Sequence, residues 1–504
     1  MLSVTDPTPF PPPPPAFNMA TYVLQHADRL GAKTALRIIG ENAQDFTYTQ
    51  IKSAVLGTAT GLLQQGLRPG DFLLMQLGNR PEFPITYLGA IAVGIIPVPV
   101  SAQLTAPEIF RISRMIRPAL TIRAADMPAA PGRTLDAEAL RQFWHLPPAE
   151  YVMGDPNRPA YIVFTSGTSG QPRAVTHAHR AIWARQMMWD GWYGLRADDR
   201  LLHAGAFNWT YTLGTGLMDP WSVGATALIP SEGTEIEALG DLLATENATL
   251  FAAAPGVYRR LLRQPLPDFP DLRHGLSAGE KLASVLASEW TEKTGKPIYE
   301  AFGMSECSTF ISGAPARPAP KGAAGYPQNG RKVALIGEDG PVPRGMPGTI
   351  AVHRDDPGLM LGYHNAPEET AARFQGDWFL TGDIGIMADD GAITYAGRAD
   401  EMMNAGGYRV SPVEVEDALT AHPAITEAAA CAVQLRADTT LIAAFYVASD
   451  VIEEDRLDAF MRARLAGYKC PRIYVAKKAL PRGANNKLLR RVLRQEWENT
   501  HGQA

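Results

Sequence analysis

A run of hydroxyl-bearing residues and glycines constrains the fold of this chain more than any other stretch. This run, the hydroxyl–glycine loop, consists of Thr165, Ser166, Gly167, Thr168, Ser169 and Gly170. Residues 161–164 before it are typical of a buried strand, and residues 174–189 after it are predicted to form a helix. Glycines let backbone N–H groups converge on one oxygen, and each hydroxyl donates a further hydrogen bond. The sequence therefore predicts an anion-binding loop at the start of a helix.

A surface linker and a Walker P-loop both fit the hydroxyl–glycine loop less well. A linker rich in serine and glycine rarely lies directly between a buried strand and a helix. A Walker P-loop requires Gly-Lys followed by Ser or Thr, whereas this chain continues with Gln171, Pro172 and Arg173. Arg173 adds a full positive charge beside the loop, which favours a phosphate ligand.

Composition places the chain among ordinary globular proteins, since 46% of its 504 residues are hydrophobic and 20% are charged. The formal net charge of −5 gives no reason to expect nucleic acid or anionic lipid as a partner. Cys307, Cys431 and Cys470 are irregularly spaced, which predicts a reducing compartment without disulfides or a zinc framework. No apolar run reaches the roughly 18 residues of a membrane span, and no secretory signal is recognisable. We therefore expect a cytoplasmic protein without membrane insertion.

Strand and helix patterns alternate through residues 35–253. This alternation predicts an α/β architecture built on mainly parallel sheets. The five prolines at 11–15 are expected to form a stiff polyproline II arm, which acts either as a spacer or as a segment that recruits a partner.

The last hundred or so residues form a separate α/β pattern. Ser411 and Glu414 have the spacing of a capping box that opens a helix, and strand and helix patterns follow it. We place a domain boundary at Asp400, which gives domains of residues 1–399 and 400–504.

Six further motifs follow one another along the chain. They are LSAGE at 276–280, YEAFGMSE at 299–306, TGD at 381–383, GRAD at 397–400, GGYR at 406–409 and PRGANNK at 481–487. Together with the hydroxyl–glycine loop, they resemble the adenylate-forming superfamily, and within it the branch of acyl- and aryl-CoA synthetases. The resemblance covers essentially the whole chain.

The resemblance implies a fold. A large N-terminal domain of mainly parallel sheets flanked by helices, with a β-barrel-like part, would precede a small, mobile C-terminal α/β domain. Asp400 takes the hinge position of the family.

The resemblance also assigns nucleotide contacts. Asp383, expected at the end of the first strand of a hairpin, would accept hydrogen bonds from both ribose hydroxyls, and Arg398 would contact ribose or phosphate. Phe302 stands where relatives usually carry tyrosine and would still stack on the base. The expected ATP or AMP contacts outside the hydroxyl–glycine loop are Gly279, Glu280, Glu300, Ala301, Phe302, Gly303, Asp383, Arg398 and Arg409.

Four residues match the family's catalytic positions: Lys487, Glu306, Ser305 and Arg173. Glu306 would hold Mg²⁺ on the ATP oxygens, because Mg²⁺ prefers carboxylate ligands. The Ser305 hydroxyl, where relatives usually have threonine, would donate to a phosphate or to the reacting carboxylate. Asn486 replaces the glycine that commonly precedes the catalytic lysine.

The implied reaction has two steps at one site. A carboxylate attacks the α-phosphate of MgATP and releases pyrophosphate, and the thiol of coenzyme A then displaces AMP. Cations are needed because an anion attacks a polyanion. The resemblance assigns the binding of coenzyme A to Gly406, Gly407 and Tyr408. Since no side-chain nucleophile is required, Cys307 is expected to pack rather than react.

Two alternatives to a CoA ligase remain open from the sequence. One is an adenylation enzyme that loads a carrier protein, and the other is a nonenzymatic nucleotide-binding protein of the same fold. The oligomeric state is also open, a homodimer included.

The resemblance also implies that Asn208, Trp209 and Tyr211 line the acid pocket, although these aromatic residues could equally serve the core. Bulky, neutral walls predict a small to medium monocarboxylic acid, aryl or branched aliphatic. A second carboxylate would need an arginine, and none occurs between Arg200 and Arg259, so an arginine would have to enter from elsewhere in the chain.

Overall fold

The structure is a computed structural model of the chain. It describes residues 1–501 except 42, 129, 167–171, 406–407, 437–438 and 484–487. Only the backbone is described for residues 166, 404–405, 408–409, 435–436 and 439.

The first part of the chain builds a small parallel sheet with helices packed on it. Its elements are α1 (Met19–Val23), α2 (Ala27–Leu30), β1 (Thr34–Ile39), β2 (Gln44–Thr47), α3 (Tyr48–Gln64), β3 (Phe72–Gln76), α4 (Glu82–Ala92), β4 (Ile96–Pro99), α5 (Ala106–Ile116), β5 (Leu120–Arg123), β6 (Thr134–Asp136) and α6 (Leu140–Phe143). Strands β4, β3, β5 and β6 lie side by side in that order and are parallel. Their side chains are largely apolar and buried, as a sheet covered on both faces requires.

The middle of the chain builds a nine-stranded sheet. Its elements are β7 (Pro159–Ser166), β8 (Pro172–Ala178), α7 (Ala181–Ala184), α8 (Gln186–Met188), β9 (Arg200–His203), α9 (Asp219–Val223), β10 (Thr226–Pro230), α10 (Leu239–Thr245), β11 (Leu250–Ala253), α11 (Pro255–Leu261), β12 (His274–Ala278), α12 (Ser284–Thr294), β13 (Ile298–Met304), β14 (Ser308–Ser312) and β15 (Tyr326–Pro327), with π-helical turns at Trp189–Tyr193 and Thr212–Met218. The strand order is β15-β14-β13-β12-β11-β9-β10-β1-β2. The strands from β13 to β1 are parallel, and the antiparallel pairings, β1–β2, β13–β14 and β14–β15, lie at the edges. The expected mainly parallel α/β architecture is confirmed.

An antiparallel half-barrel follows. Its elements are β16 (Val333–Gly337), β17 (Gly340–Pro341), β18 (Pro347–His353), β19 (Gly362–Tyr363), α13 (Pro367–Ala371), β20 (Phe374–Gln375), β21 (Trp378–Met387) and β22 (Ile393–Arg398). The sheet order is β17-β16-β18-β21-β20, and β22 pairs with β21. The N-terminal segment runs beside this sheet, since the Ser3 and Thr5 amides donate to the carbonyls of Val342 and Val333. This half-barrel is the expected β-barrel-like part.

The last segment has its own sheet and apolar clusters. Its elements are β23 (Met403–Ala405), β24 (Tyr408–Val410), α14 (Pro412–Thr420), β25 (Ile425–Arg436), β26 (Thr439–Ala448), α15 (Glu454–Arg462), β27 (Ile473–Ala476) and α16 (Arg490–His501). Strands β25, β26 and β27 form a three-stranded sheet, covered by α14 and α15 on one side and by α16 on the other. The Ser411 hydroxyl accepts from the Glu414 amide, as the predicted helix start requires. Among the described helices, none combines the length and apolar character that crossing a membrane would demand.

The helix predicted for residues 174–189 is wrong. Residues 172–178 form β8, which pairs antiparallel with β7, so the hydroxyl–glycine loop joins two strands of a hairpin rather than a strand and a helix. β-Branched Val175 and Thr176 suit a strand, and pairing with β7 on one side and β19 on the other overrides the local helix pattern. Helical turns begin only at Ala181.

The expectation that Asp383 ends a strand is also wrong. Strand β21 continues to Met387, and Asp383 lies in its middle, opposite Arg398 on β22. The strand bends there because Gly382 has a φ of 79° and the register shifts between Ile384 and Gly385. The predicted hairpin itself is confirmed.

Candidate active site

The β7–β8 hairpin brings Thr165 opposite Arg173. The guanidinium of Arg173 pairs with Glu369, Nε to Oε2 3.1 Å, and lies 5.3 Å from the centre of the Tyr363 ring. Arg173 is thus held at the base of the hydroxyl–glycine loop on a fixed aromatic surface.

Several expected site residues fall outside what the structure describes. Gly167, Thr168, Ser169, Gly170, Gly406, Gly407 and Lys487 lie outside the described residues, and the side chains of Ser166, Tyr408 and Arg409 are also not described. Their roles remain predictions from the sequence.

Glu306 is almost fully buried beside Tyr363, whose hydroxyl donates to its Oε1 at 2.7 Å. Burial, and then the negative charge of Glu306, raise the pKa of the Tyr363 phenol, so this hydroxyl stays protonated and donates. Tyr363 therefore contacts both expected catalytic residues, Glu306 and Arg173. No motif in the sequence pointed to it.

The turn between β13 and β14 positions Ser305 and Glu306. Its backbone is tight, because a Cβ on Gly303 would lie 2.2 Å from the Ser308 carbonyl oxygen. Ser308 itself has a φ of 63°, which non-glycine residues rarely adopt. The Ser305 carbonyl accepts a hydrogen bond from His177 Nε2 at 2.7 Å, which ties the turn to β8.

The residues expected beside adenine lie together at the carboxyl ends of parallel strands. Ala278 on β12 is in register with Ala301 on β13, which places Gly279 and Glu280 next to Glu300–Gly303. This edge is where ligands bind in open α/β sheets. Burial raises the pKa of Glu300 to about 7, and its Oε1 accepts from the Leu282 amide at 2.9 Å. Glu300 thereby fixes the loop after β12.

Phe302 connects this edge to the half-barrel. Its ring packs against Tyr395 with centroids 5.7 Å apart, and the Tyr395 hydroxyl donates to Asp383 Oδ1 at 3.4 Å. Arg398 Nη1 lies 3.4 Å from Asp383 Oδ2, and its Nε lies 3.2 Å from Asp400 Oδ1. The structure thus brings together four predicted residues, with Tyr395 between them as a contact that the sequence did not reveal.

Trp209 and Tyr211 differ in their surroundings. Trp209 lies against the LSAGE motif, since a Cβ on Gly279 would meet its ring at 2.6 Å. Tyr211 is buried and donates to the Leu276 carbonyl at 3.0 Å, which is a core contact as much as a pocket wall. Asn208 is half-buried.

Cys307 is fully buried beside the ion pair of Arg331 and Asp356. Burial raises the pKa of its thiol well above the usual value, so the thiolate is disfavoured. This position agrees with the packing role expected for Cys307.

Comparison with known proteins identifies the family of the chain. Residues 23–364 match the sequence profile of AMP-binding enzymes, and residues 414–487 match the profile of the AMP-binding enzyme C-terminal domain. The chain is 28% identical to a 3-hydroxybenzoate–CoA ligase of Aromatoleum sp. (strain CIB), over 95% of this chain and 97% of that protein. It is 29% identical to a benzoate–CoA ligase of Thauera aromatica, over 98% and 99%.

Among solved structures, the anthranilate CoA ligase AuaEII in complex with anthranoyl-AMP superimposes with a TM-score of 0.88 at 25% identity. The match covers 97% of this chain and 99% of that one. The resemblance and the fold predicted from the sequence are both confirmed. Because the AMP-binding profile alone spans more than half of its residues, the chain belongs to the family of AMP-binding enzymes.

Proposed function

We propose that the chain is an AMP-forming acid–thiol ligase that activates an aromatic carboxylic acid with ATP and transfers the acyl group to coenzyme A. The observation that carries the proposal is the path of β13 and the turn after it. The strand places Phe302 near Asp383, and the turn places Glu306 near Arg173. A nucleotide along this path would meet a ring and a carboxylate at its nucleoside end, and metal-binding and cationic groups at its phosphate end.

In the first half-reaction, a carboxylate oxygen bonds to the α-phosphorus and pyrophosphate leaves. Arg173 and Lys487 would offset the accumulating negative charge. The Ser305 hydroxyl would donate to the reacting carboxylate or to a phosphate oxygen. Asp383 would accept from the ribose hydroxyls while Arg398 keeps its carboxylate in place.

Glu306 fits a magnesium ligand. Its Oε1 accepts the Tyr363 hydroxyl, which leaves Oε2 for a cation. Within the described part of the chain, no group of three or more His, Cys, Asp or Glu could hold a metal. A single carboxylate is enough, because Mg²⁺ usually completes its shell with phosphate oxygens and water. When bound, the ion neutralises charge on the phosphate oxygens.

In the second half-reaction, the thiol of coenzyme A attacks the acyl carbonyl and AMP leaves. We assign the binding of the thiol-bearing end of coenzyme A to Gly406, Gly407 and Tyr408. Residues 400–504 would rotate about Asp400 between the half-reactions, because the lysine must withdraw before the thiol arrives. The proposal requires only one chain, so a homodimer would leave it unchanged, and a reducing, cytoplasmic setting suits the three free, buried cysteines.

An aromatic acid is supported by the relatives named for benzoate and hydroxybenzoate. Trp209, packed beside Gly279, offers a flat wall next to the expected adenylate. A branched aliphatic acid would fit the same wall less closely, since it cannot stack on an indole ring.

Pyrophosphate and AMP release tests this function. We expect release with benzoate and its hydroxylated forms, thioester formation on adding coenzyme A, and little turnover of acetate, palmitate or malonate. Thioester formed only on a carrier protein would favour the loading enzyme. Nucleotide binding without pyrophosphate release under all conditions would favour the nonenzymatic protein.

Replacing Lys487 separates the two steps. Lys487→Ala should slow acyl-adenylate formation by about 100-fold or more, the scale for losing one preorganised electrostatic contact. Thioester formation from supplied acyl-adenylate should be nearly unaffected. Equal losses in the two steps would show that Lys487 does not act in adenylation.

A further inference from the structure

An arginine from outside the predicted pocket region lies beside that pocket. Arg185, between α7 and α8, is buried and pairs with the fully buried Asp219. Its Nε donates to Asp219 Oδ1 at 2.8 Å, and its Nη2 donates to the other carboxylate oxygen. The two charges compensate each other, so Arg185 is not the unpaired arginine that a second substrate carboxylate would need.

A small cavity with both polar and apolar walls lies beside this pair. It measures about 20 Å³, which suits one water-sized group. Its polar side chains are those of Tyr161, His177, Arg185, Thr210, Ser305 and Ser308, and Ala181, Leu213 and Met218 form its apolar part. Ser305 is the residue expected at the reacting carboxylate, so the cavity lies next to the place where the acid would react.

His177 lines this cavity and carries a hydrogen-bond acceptor that is unpaired within the described part of the chain. Its Nε2 faces the Ser305 carbonyl oxygen, which can only accept, so Nε2 carries the ring proton. Burial lowers the pKa of His177 to about 4, which keeps the ring neutral near pH 7. Nδ1 is then an unprotonated acceptor, and among the described residues it has no hydrogen-bond partner.

Arg185 supplies a donor at the same cavity. Its Nη1 carries two N–H groups. One donates to the Ser308 hydroxyl, and within the described residues the other meets no acceptor. The hydroxyls of Thr210 and Ser308 can each donate or accept.

We propose that this cavity receives a hydroxyl group of the acid, so that the enzyme selects a hydroxylated aromatic acid over the unsubstituted one. The inference rests on the proposed function. A hydroxyl donates to His177 Nδ1 and, through its two lone pairs, accepts from both Arg185 and Thr210, so that loss of the Thr210 hydroxyl weakens the selection.

Other substituents match the cavity less well. A methyl group would leave the buried His177 Nδ1 unpaired. A carboxylate cannot donate to His177, and the charge of Arg185 is already offset by Asp219. An amine would donate but accepts poorly, so the N–H of Arg185 would stay unpaired. A bound water satisfies both groups and is the competing occupant.

The test compares benzoate with its three monohydroxylated isomers. The measured quantities are kcat/KM for AMP formation and the equilibrium affinity for each acid in the presence of AMP. For one hydroxylated isomer, both should exceed the values for benzoate at least about 10-fold. In Thr210→Val, which keeps the shape of the side chain but removes its hydroxyl, the ratio of kcat/KM for the preferred isomer to kcat/KM for benzoate should fall several-fold. Thr210→Ser should restore it.

Thr212→Val is the matched control. Thr212 is buried two residues further along, its hydroxyl has no partner among the described residues, and it does not line the cavity. We expect the wild-type ratio in this variant, with the fold of every variant checked by circular dichroism.

The outcomes separate the inference from the function on which it rests. Turnover of benzoate and all isomers within about twofold would overturn the inference. A preference that persists in Thr210→Val would also overturn it. Absence of AMP formation with every aromatic acid would overturn the proposed function itself, and the inference with it.

Discussion

Tyr363 joins the two charged residues expected to act on phosphate. Its hydroxyl donates to Glu306, and its ring supports the guanidinium of Arg173. A hydrogen bond to a charged group contributes roughly 1.5–3 kcal/mol to the stability of the folded protein. One buried phenol therefore fixes the direction in which Glu306 presents its remaining oxygen.

We expect Tyr363→Phe to lower kcat/KM for adenylation about 10-fold and to raise the Mg²⁺ concentration needed for half-maximal rate, because Glu306 loses the bond that orients it. The ring remains, so Arg173 keeps its support. Initial rates over a magnesium titration measure both effects. Tyr326→Phe is the control, since Tyr326 makes a comparable bond to Asp390, 3.0 Å, on a surface turn. A magnesium response unchanged in Tyr363→Phe would argue against this role.

At the scale of elements, strands β13 and β14 and the turn between them carry Phe302, Ser305 and Glu306 of the candidate site. The two strands are joined by a turn so short that the register shifts between Phe302 and Gly303. Ser308 adopts a left-handed backbone conformation there. Such strain persists only where the surrounding structure enforces it, and it is common at functional sites. The packing of Gly303 against the turn is one part of that enforcement.

Gly303→Ala should disturb this turn. The added Cβ would lie 2.2 Å from the Ser308 carbonyl oxygen and 2.5 Å from the Thr309 Cα, both backbone atoms that cannot move aside alone. We expect a loss of roughly 1–3 kcal/mol in the free energy of unfolding and a loss of adenylation from displacement of Glu306. Denaturant unfolding and AMP formation are the measurements.

Gly467→Ala controls for the loss of a glycine, because its new Cβ would meet only one side-chain atom, at 3.8 Å. Gly303→Ala with the stability and activity of the wild type would show that the turn tolerates a wider spacing.

At the scale of the whole molecule, ion pairs join the C-terminal segment to the nucleotide edge. Arg482 Nη1 lies 3.4 Å from Glu280 Oε2, and Lys281 Nζ lies 2.5 Å from Asp417 Oδ2. Arg482 belongs to the motif that ends in Lys487, and Glu280 belongs to the LSAGE motif. We infer that this docked orientation serves adenylation.

Asp417→Asn should weaken that orientation. The side chain of Asp417 is 48% exposed and that of Lys281 is 19% exposed. An ion pair at the surface contributes about 0.2–1 kcal/mol, so the ratio of adenylation rate to thioester-forming rate should fall by no more than about fivefold, without a change in melting temperature. Separate assays of the two half-reactions measure the ratio. Asp458→Asn, which removes a pair with Arg462 inside the C-terminal segment, should leave the ratio unchanged. A rise in the ratio would assign the docked orientation to thioester formation.

Local signals in the sequence were enough to determine the family, the α/β class and most strands and helices. Motif residues such as Asp383 and Glu306 could be proposed for the site because they lie in motifs that resemble those of the family and because a carboxylate suits the roles expected of them. The alternation of strands and helices through residues 35–253 was predictable because short apolar runs bounded by turn-forming residues favour buried strands, and longer runs with helical spacing favour helices.

Only the tertiary structure decided the partners of those residues. β8 was misread as a helix because its pairing with β7 and β19 is not encoded in local periodicity. Tyr363 and Tyr395 lie far along the chain from the residues they contact, so no motif includes them. Arg185 lies outside the stretch between Arg200 and Arg259, and its pairing with Asp219, 34 residues later, arises only in the folded chain. The sequence therefore determined which chemical groups are present, while packing between distant segments decided which of them meet and which charges are already compensated.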